Sequence, residues 1–149
     1  MRFTAIAALL LAAVASAQSP ILTNCAPGTT EMTVTSVSLS PYPLCTNKNV
    51  CITATGTLST SIVAGASLSI SGRYLGRVVY TDNQDLCNLL YVQGHPCPVP
   101  ITVTSLTVCV LVKPTAPTSI PVVLTIKAIN GNGNVLFCVT GTITAQNCP

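Results

Sequence analysis

The stretch that decides the fold is residues 85–100, DLCNLLYVQGHPCPVP, which leads directly into an apolar, Thr-rich run. Cys87 and Cys97 are close enough in sequence to close one loop by a disulfide. Prolines occupy alternate positions in its second half, namely Pro96, Pro98 and Pro100. Proline fixes φ and favours extended backbone before it, so this half begins a strand and is not a helix interior. Residues 85–91 are the one place where a helical turn is predicted, capped by the Asp85 carboxylate.

Outward from that stretch, the chain is dominated by apolar residues that alternate with Ser and Thr. The alternation and the breaks at Pro, Gly and Asn predict strands over residues 32–39, 50–58, 66–72, 73–81, 101–112, 121–129 and 135–145. Within 32–39 the alternation changes phase once, near Ser36. The sequence NGNGN at 130–134 predicts the turn of the last hairpin, because Asn and Gly tolerate positive φ. The pattern indicates an all-β, two-sheet antiparallel sandwich of about seven strands.

Residues 1–17 have the pattern of a secretory signal peptide. Arg2 precedes an apolar core over residues 5–14, and Ala15, Ser16 and Ala17 form a small-residue cleavage site. The core is too short to span a bilayer, so a retained membrane anchor is the less favoured alternative. We therefore predict a mature single domain over residues 18–149 that is secreted or delivered to a vacuolar or lysosomal lumen.

All eight cysteines follow the predicted cleavage site. An even number in a secreted chain favours disulfides over metal ligation or redox catalysis. The chain has one histidine and no Cys-x-x-Cys motif, which leaves almost nothing for a zinc site. The sequence therefore predicts four disulfides, no metal and no cofactor.

Charged residues are scarce, at 6% of the chain against about a quarter in ordinary globular domains. The basic residues of the predicted mature chain are dispersed along it: Lys48, Arg73, Arg77, Lys113 and Lys127. Nucleic-acid binding needs a basic patch, and the sequence contains no cluster of that kind. We predict no nucleic-acid partner.

A catalytic site has few candidate residues. Glu31, Asp82 and Asp85 are the only carboxylate side chains, and His95 is the only histidine. Asp85 and His95 flank the predicted disulfide loop and could meet in space, but no G-x-S-x-G elbow or other nucleophile motif accompanies them. The sequence therefore predicts a protein that is not an enzyme.

Several short motifs follow one another in a specific order. They are Cys25, SPYP at 40–43, DLCxLL with CPVP at 85–100, the proline-led strand at Pro121 and NVLFC at 134–138. Together they resemble the ML lipid-recognition domain, a family that includes fungal phosphatidylglycerol/phosphatidylinositol transfer proteins and Niemann–Pick type sterol carriers. The resemblance implies an immunoglobulin-like sandwich whose sheets splay apart around a lipid tail.

The resemblance also implies disulfide pairs. These are Cys25 with Cys138, Cys45 with Cys51, and Cys87 with Cys97. Cys109 and Cys148 have no counterpart in the family and are left as the fourth pair. From the cysteines alone, many connectivities stay open.

The function implied is that of a secreted, monomeric lipid-binding or transfer protein that carries a phospholipid or sterol and meets membranes transiently. The alternation names the inward residues that would line its cavity: Ile52, Leu58, Leu68, Ile70, Tyr74, Val78, Val108, Val110, Leu124, Ile126, Phe137 and Val139. The same residues could instead fill the core of a closed sandwich. The alternative function is then a secreted structural or cell-wall interaction protein. Arg73, Arg77 and Lys113 are candidate phosphate contacts, although solvated charge is the commoner role.

Overall fold

The computed structural model describes residues 20–149, so the predicted signal peptide lies outside the described residues. The elements are β1 (Thr23–Asn24), β2 (Met32–Ser40), β3 (Leu44–Cys45), β4 (Asn49–Leu58), β5 (Ser67–Tyr74), β6 (Arg77–Asp85), α1 (Leu86–Tyr91), β7 (Ser105–Leu111), β8 (Pro121–Ile129) and β9 (Val135–Gln146). Within this part of the chain, no helix has the length and apolar character needed to cross a membrane.

Two antiparallel sheets pack face to face. The larger has the order β1-β9-β8-β5-β6, with β3 added to β9 in parallel, and the smaller has the order β2-β4-β7. The predicted all-β sandwich is confirmed, since seven of these strands are long and the other two, β1 and β3, have two residues each. The core lies between the sheets.

Alternation produces the two faces of each sheet. In β8, Val122, Leu124, Ile126 and Ala128 are buried between the sheets, and the residues between them face outward. Because side chains point alternately to opposite faces of a strand, this spacing fixes which residues enter the core. The predicted change of phase near Ser36 is also present, as a shift in the β2–β4 pairing between Val34 and Ser36.

The disulfide predictions are correct for two pairs and wrong for two. Cys25–Cys138 and Cys87–Cys97 form as predicted. Cys51 pairs with Cys109, because the two residues are direct partners on β4 and β7 and their Cα atoms are 4.0 Å apart. Cys45 pairs with Cys148, because β3 leaves the smaller sheet and runs beside the end of β9. The predicted Cys45–Cys51 and Cys109–Cys148 bridges are therefore corrected.

Two disulfides tie the chain segments on either side of β2 to β9. Cys25–Cys138 joins the segment between β1 and β2 to β9, and Cys45–Cys148 joins β3 to the residues after β9. On the opposite side lie the edges β6 and β7, and none of the four disulfides crosses between them. Disulfides therefore hold the β9 side, whereas noncovalent contacts hold the side of β6 and β7.

The short helix α1 closes one end of the sandwich, between β6 and β7. The Asp85 carboxylate accepts a hydrogen bond from the Asn88 backbone N–H at 3.1 Å, as the predicted cap requires. Leu86 and Leu90 are buried on its inner side, and the Cys87–Cys97 disulfide ties the helix to the loop that follows. This end is called the helix end below.

Glu31 holds the β8–β9 turn against the start of β2. Its carboxylate accepts hydrogen bonds from the side-chain amides of Asn130 (2.6 Å), Asn132 (2.6 Å) and Asn134 (3.0 Å). The amide oxygen of Asn130 in turn accepts from the Val63 backbone N–H. Burial alone would raise the pKa of Glu31, but the three amide hydrogen bonds outweigh it and hold that pKa below its ordinary value. The Asn-Gly turn is thus anchored by one carboxylate.

Acid should therefore destabilise the fold through Glu31. A lowered folded-state pKa contributes stability above the unfolded pKa, and this contribution is lost as pH falls through the folded value. We expect the unfolding midpoint to decrease as pH falls below about 4.5. Glu31→Gln should lower the free energy of unfolding by about 2 kcal/mol at neutral pH and flatten this acid dependence. Thermal unfolding of both proteins across the acid range tests this. An equally steep acid response in the variant would exclude Glu31 as its source.

Candidate ligand cavity between the sheets

An apolar cavity lies between the sheets at the end opposite α1. We call this the cavity end; there β5 and β7 finish and β4, β6 and β8 begin. Strand residues from both sheets line it, and Ala116 and Pro117 of the β7–β8 loop border it. Tyr80 is the only lining residue, within the described chain, that carries a polar side-chain group. The wall therefore suits an apolar ligand.

The cavity is larger than a packing defect but narrow. The volume open to the centres of water-sized spheres is about 50 Å³, and one water needs roughly 10–15 Å³. A second apolar void of about 20 Å³ by the same measure lies towards α1, and Ile52 lines both. A wider space of about 150 Å³ runs along β2, but Thr33, Thr35 and Ser36 contribute to its wall. Of these three spaces, the first two have almost wholly apolar walls.

All but two of the residues predicted as cavity lining are buried in the sandwich. Ile52, Ile70, Val110, Leu124 and Ile126 line the main cavity. Of the others, Leu68, Val108 and Phe137 line the second void, Val139 borders the wider space along β2, and Leu58 lies in the packed core. Their contact with a lipid stays a prediction.

Tyr74 and Val78 lie outside the cavities, and their predicted placement is corrected. Gly72 pairs with Tyr80 and Arg73 with Val78, so Val79 is the extra residue of a bulge in β6, and the alternation of β6 changes phase there. Tyr74 lies in the last pair before the turn, beyond the part of β5 that lines the cavity. Val78 is directly opposite Arg73 and, like it, is exposed. A bulge of one residue therefore removes the end of this hairpin from the interior.

The seam between the edges β6 and β7 is closed by polar side chains next to the cavity. Lys113 Nζ lies 3.4 Å from the buried Asp82 carboxylate and donates to the Thr81 backbone oxygen at 2.8 Å. The Lys113 backbone N–H donates to the Tyr80 hydroxyl at 3.2 Å, and its ammonium lies 5.9 Å from the centre of that ring. Gln84 donates to both oxygens of Asp82. One lysine thus connects the two sheets beside the cavity.

This seam is not among the features predicted from the sequence. The available signal was the polar inward series of β6, in which Tyr80, Asp82 and Gln84 recur at every second position. Polar or charged residues that point inward are a known feature of edge strands. Their meeting with Lys113 depends on the course of the β7–β8 region, which alternation does not reveal.

Each carboxylate side chain of the described residues has a structural partner. Among residues 20–149, no group of three or more His, Cys, Asp or Glu side chains could hold a metal ion. Asp82 is occupied by Lys113 and Gln84, and the Asp85 carboxylate caps α1. What the cavity can do is remove an apolar group from water.

Comparison with known families decides the class of the protein. A sequence model of the ML domain matches residues 20–145. The chain belongs to the ML domain family. The resemblance inferred from the motifs is thereby confirmed. No curated protein sequence gives a significant match to this ML domain.

Solved structures are similar to this ML domain in fold. A Niemann-Pick type C2 protein from Japanese carpenter ant has a TM-score of 0.65 and 12% identity, covering 85% of this chain and 99% of its own. Chicken MD-1, solved in complex with lipid IVa, has a TM-score of 0.53 and 12% identity over 83% of this chain and 86% of its own. The C-terminal domain of wzt has a TM-score of 0.54 and 11% identity, covering 87% and 80%. At these identities the similarity establishes the fold alone.

Proposed function

We propose that this ML domain binds one phospholipid or sterol and carries it between membranes as a secreted or lumenal monomer. The observation that carries the proposal is the apolar cavity that lies between the sheets beside the polar β6–β7 seam. Family membership and the lipid IVa complex of the similar MD-1 fold support a lipid as the ligand. The proposal assigns no catalytic residue.

The narrow cavity implies that the sheets separate at the seam when a lipid enters. Each CH₂ group removed from water contributes about 0.8 kcal/mol. The Lys113 side chain is 44% exposed but that of Asp82 is only 5% exposed, so breaking this pair costs more than breaking a surface pair, up to about 3–5 kcal/mol. About seven buried methylenes outweigh that loss. The disulfides on the β9 side would keep the other edge closed.

The polar end of the ligand would stay at the seam. The Tyr80 hydroxyl accepts from the Lys113 backbone and keeps a proton that it can donate. The Lys113 ammonium, released from Asp82, could meet a phosphate or a sterol hydroxyl. This orientation leaves the apolar tail among Val110, Leu124 and Ile126.

Native mass spectrometry of protein secreted through an oxidising pathway, followed by organic extraction, tests the proposal. We expect a reproducible added mass of lipid size that solvent releases. Protein that stays at its bare mass, with four disulfides formed, and that refuses added phospholipid and sterol would contradict it. The closed-sandwich alternative, a structural or wall-binding protein, would then be tested by binding to polysaccharide.

A further inference from the structure

Leu75, in the turn between β5 and β6, combines an unfavourable backbone conformation with an exposed apolar side chain. Tyr74 and Arg77 form the last pair of the hairpin, and Leu75 and Gly76 connect them with φ values of +50° and +78°. Two-residue turns with positive φ favour Asn-Gly, because other L-residues are strained there. Leu75 is also 86% exposed. The leucine gains no burial within the chain in return for this strain.

Further apolar side chains extend from Leu75 along the outer face of the larger sheet. Val78 is 51% exposed and lies directly opposite Arg73, which is also directly opposite Val123 of β8. Direct partners on neighbouring strands have their side chains on the same face. Val78, Arg73 and Val123 therefore form a row behind the tip. We call this row, with Leu75 and Arg77, the hairpin patch.

Most basic residues of the described chain lie at the cavity end. Arg73 and Arg77 lie at the hairpin tip, and Lys113 lies at the seam, at the cavity end. Lys48 joins them, because its backbone oxygen accepts from the Val112 N–H next to Lys113. The carboxylates lie elsewhere or are neutralised: Asp82 is paired with Lys113, Asp85 caps α1, and Glu31 lies at the start of β2. Lys113 and Asp82 neutralise each other, so the positive charge of the cavity end comes from Lys48, Arg73 and Arg77, which are dispersed in the sequence.

We propose that the hairpin patch docks this protein on bilayers of anionic phospholipid, with Leu75 inserted at the headgroup boundary and Arg73 and Arg77 on lipid phosphates. Interfacial binding strengthens with buried apolar area and with basic residues near an anionic surface. Gly72 and Tyr80, near the tip in the same hairpin, line the cavity, so docking brings the cavity against the bilayer. The inference rests on the proposed function for its purpose, but its test does not depend on lipid loading.

A second exposed apolar surface lies at the helix end and serves as the control. Tyr91, Val92 and Ile101 are exposed there, with Val92 at 71%. Residues 86–104, which carry them, contain no Lys or Arg. Charge complementarity to an anionic bilayer therefore favours the cavity end.

Flotation with vesicles of phosphatidylcholine alone, or of equal parts phosphatidylcholine and phosphatidylglycerol, tests the docking surface. The protein should bind only the anionic vesicles, and salt should weaken binding. Arg73→Gln with Arg77→Gln should reduce binding about 30-fold, since each basic residue near the surface contributes about fivefold. Leu75→Asn should reduce it about tenfold. Its thermal midpoint should not fall, because Asn suits positive φ. Val92→Asn and Lys127→Gln should bind like the parent protein.

Two results would overturn the docking surface. One is binding that Leu75→Asn and the double arginine variant leave unchanged. The other is an equal loss in Val92→Asn. Loading of a fluorescent fatty acid without vesicles separates this proposal from the proposed function, because Leu75→Asn should load like the parent. Patch-dependent vesicle binding by a protein that takes up no lipid would support docking and reject the carrier. A protein that loads lipid but does not bind anionic vesicles would support the carrier and reject the docking surface.

Discussion

Replacing Val110 by phenylalanine is expected to abolish lipid loading and leave the sandwich folded. Val110 lines the main cavity from β7, and a larger ring there would occupy the space intended for the ligand. Excluding about five methylenes removes about 4 kcal/mol of binding free energy, roughly a thousandfold in affinity. Overpacking a full core costs about 1–3 kcal/mol, and the existing space should keep the cost near the lower figure.

The measurement is lipid loading by native mass spectrometry together with thermal unfolding of the same samples. Thr107→Phe is the matched control, because Thr107 lies on the same strand but bonds outward to Thr53 at 2.9 Å. It should load like the parent protein. If Val110→Phe does not fold, Ala116→Phe places the ring at the cavity border instead. Unchanged loading in a folded Val110→Phe protein would mean that the ligand binds elsewhere.

Removing the Cys25–Cys138 disulfide should cause a much larger loss of stability than removing Cys87–Cys97. The bridge spans 113 residues of sequence, and in the chain-entropy model a loop of this length contributes about 5 kcal/mol. Cys87–Cys97 spans 10 residues, for which the same model gives about 3 kcal/mol. A domain of ordinary stability has about 5–15 kcal/mol in total, so the first loss is severe.

Urea unfolding of the Cys25→Ser/Cys138→Ser and Cys87→Ser/Cys97→Ser variants measures the difference. The order of the two losses is the informative result, since strain and residual structure affect each value. A greater loss from the short loop would contradict the entropic account. Non-reducing peptide mapping of the parent should also recover Cys45 with Cys148 and Cys51 with Cys109.

Alternation in the sequence was sufficient to predict the layers of this fold. The strand predicted over residues 121–129 has those bounds in the structure, and the one predicted over 50–58 begins one residue earlier. The Asp85 cap and the Asn-Gly turn were also predictable, because each depends on local backbone chemistry. Apolar alternation and helix capping depend on a few neighbouring residues, so they can be recognised without knowing how the rest of the chain folds.

The same local signals did not predict which distant segments of the chain lie next to each other. Cys45 and Cys51 are near each other in sequence, yet β3 leaves the smaller sheet and takes Cys45 to the end of β9. The family resemblance indicated a cavity, but not that its border is formed by Tyr80 and the β7–β8 loop. Val78 was misplaced because one bulge at Val79 reverses the face of the β6 residues between it and the turn.

The cavity between the sheets has a mechanical consequence for a protein that binds a ligand there. Unfolding eliminates internal voids, so hydrostatic pressure favours the unfolded chain in proportion to the void volume that disappears. The spaces near Val110 and beyond Ile52 are voids of this kind. Pressure should therefore unfold the empty protein more readily than the filled one. The midpoint of pressure unfolding then becomes a measure of occupancy that needs no knowledge of which molecule is bound.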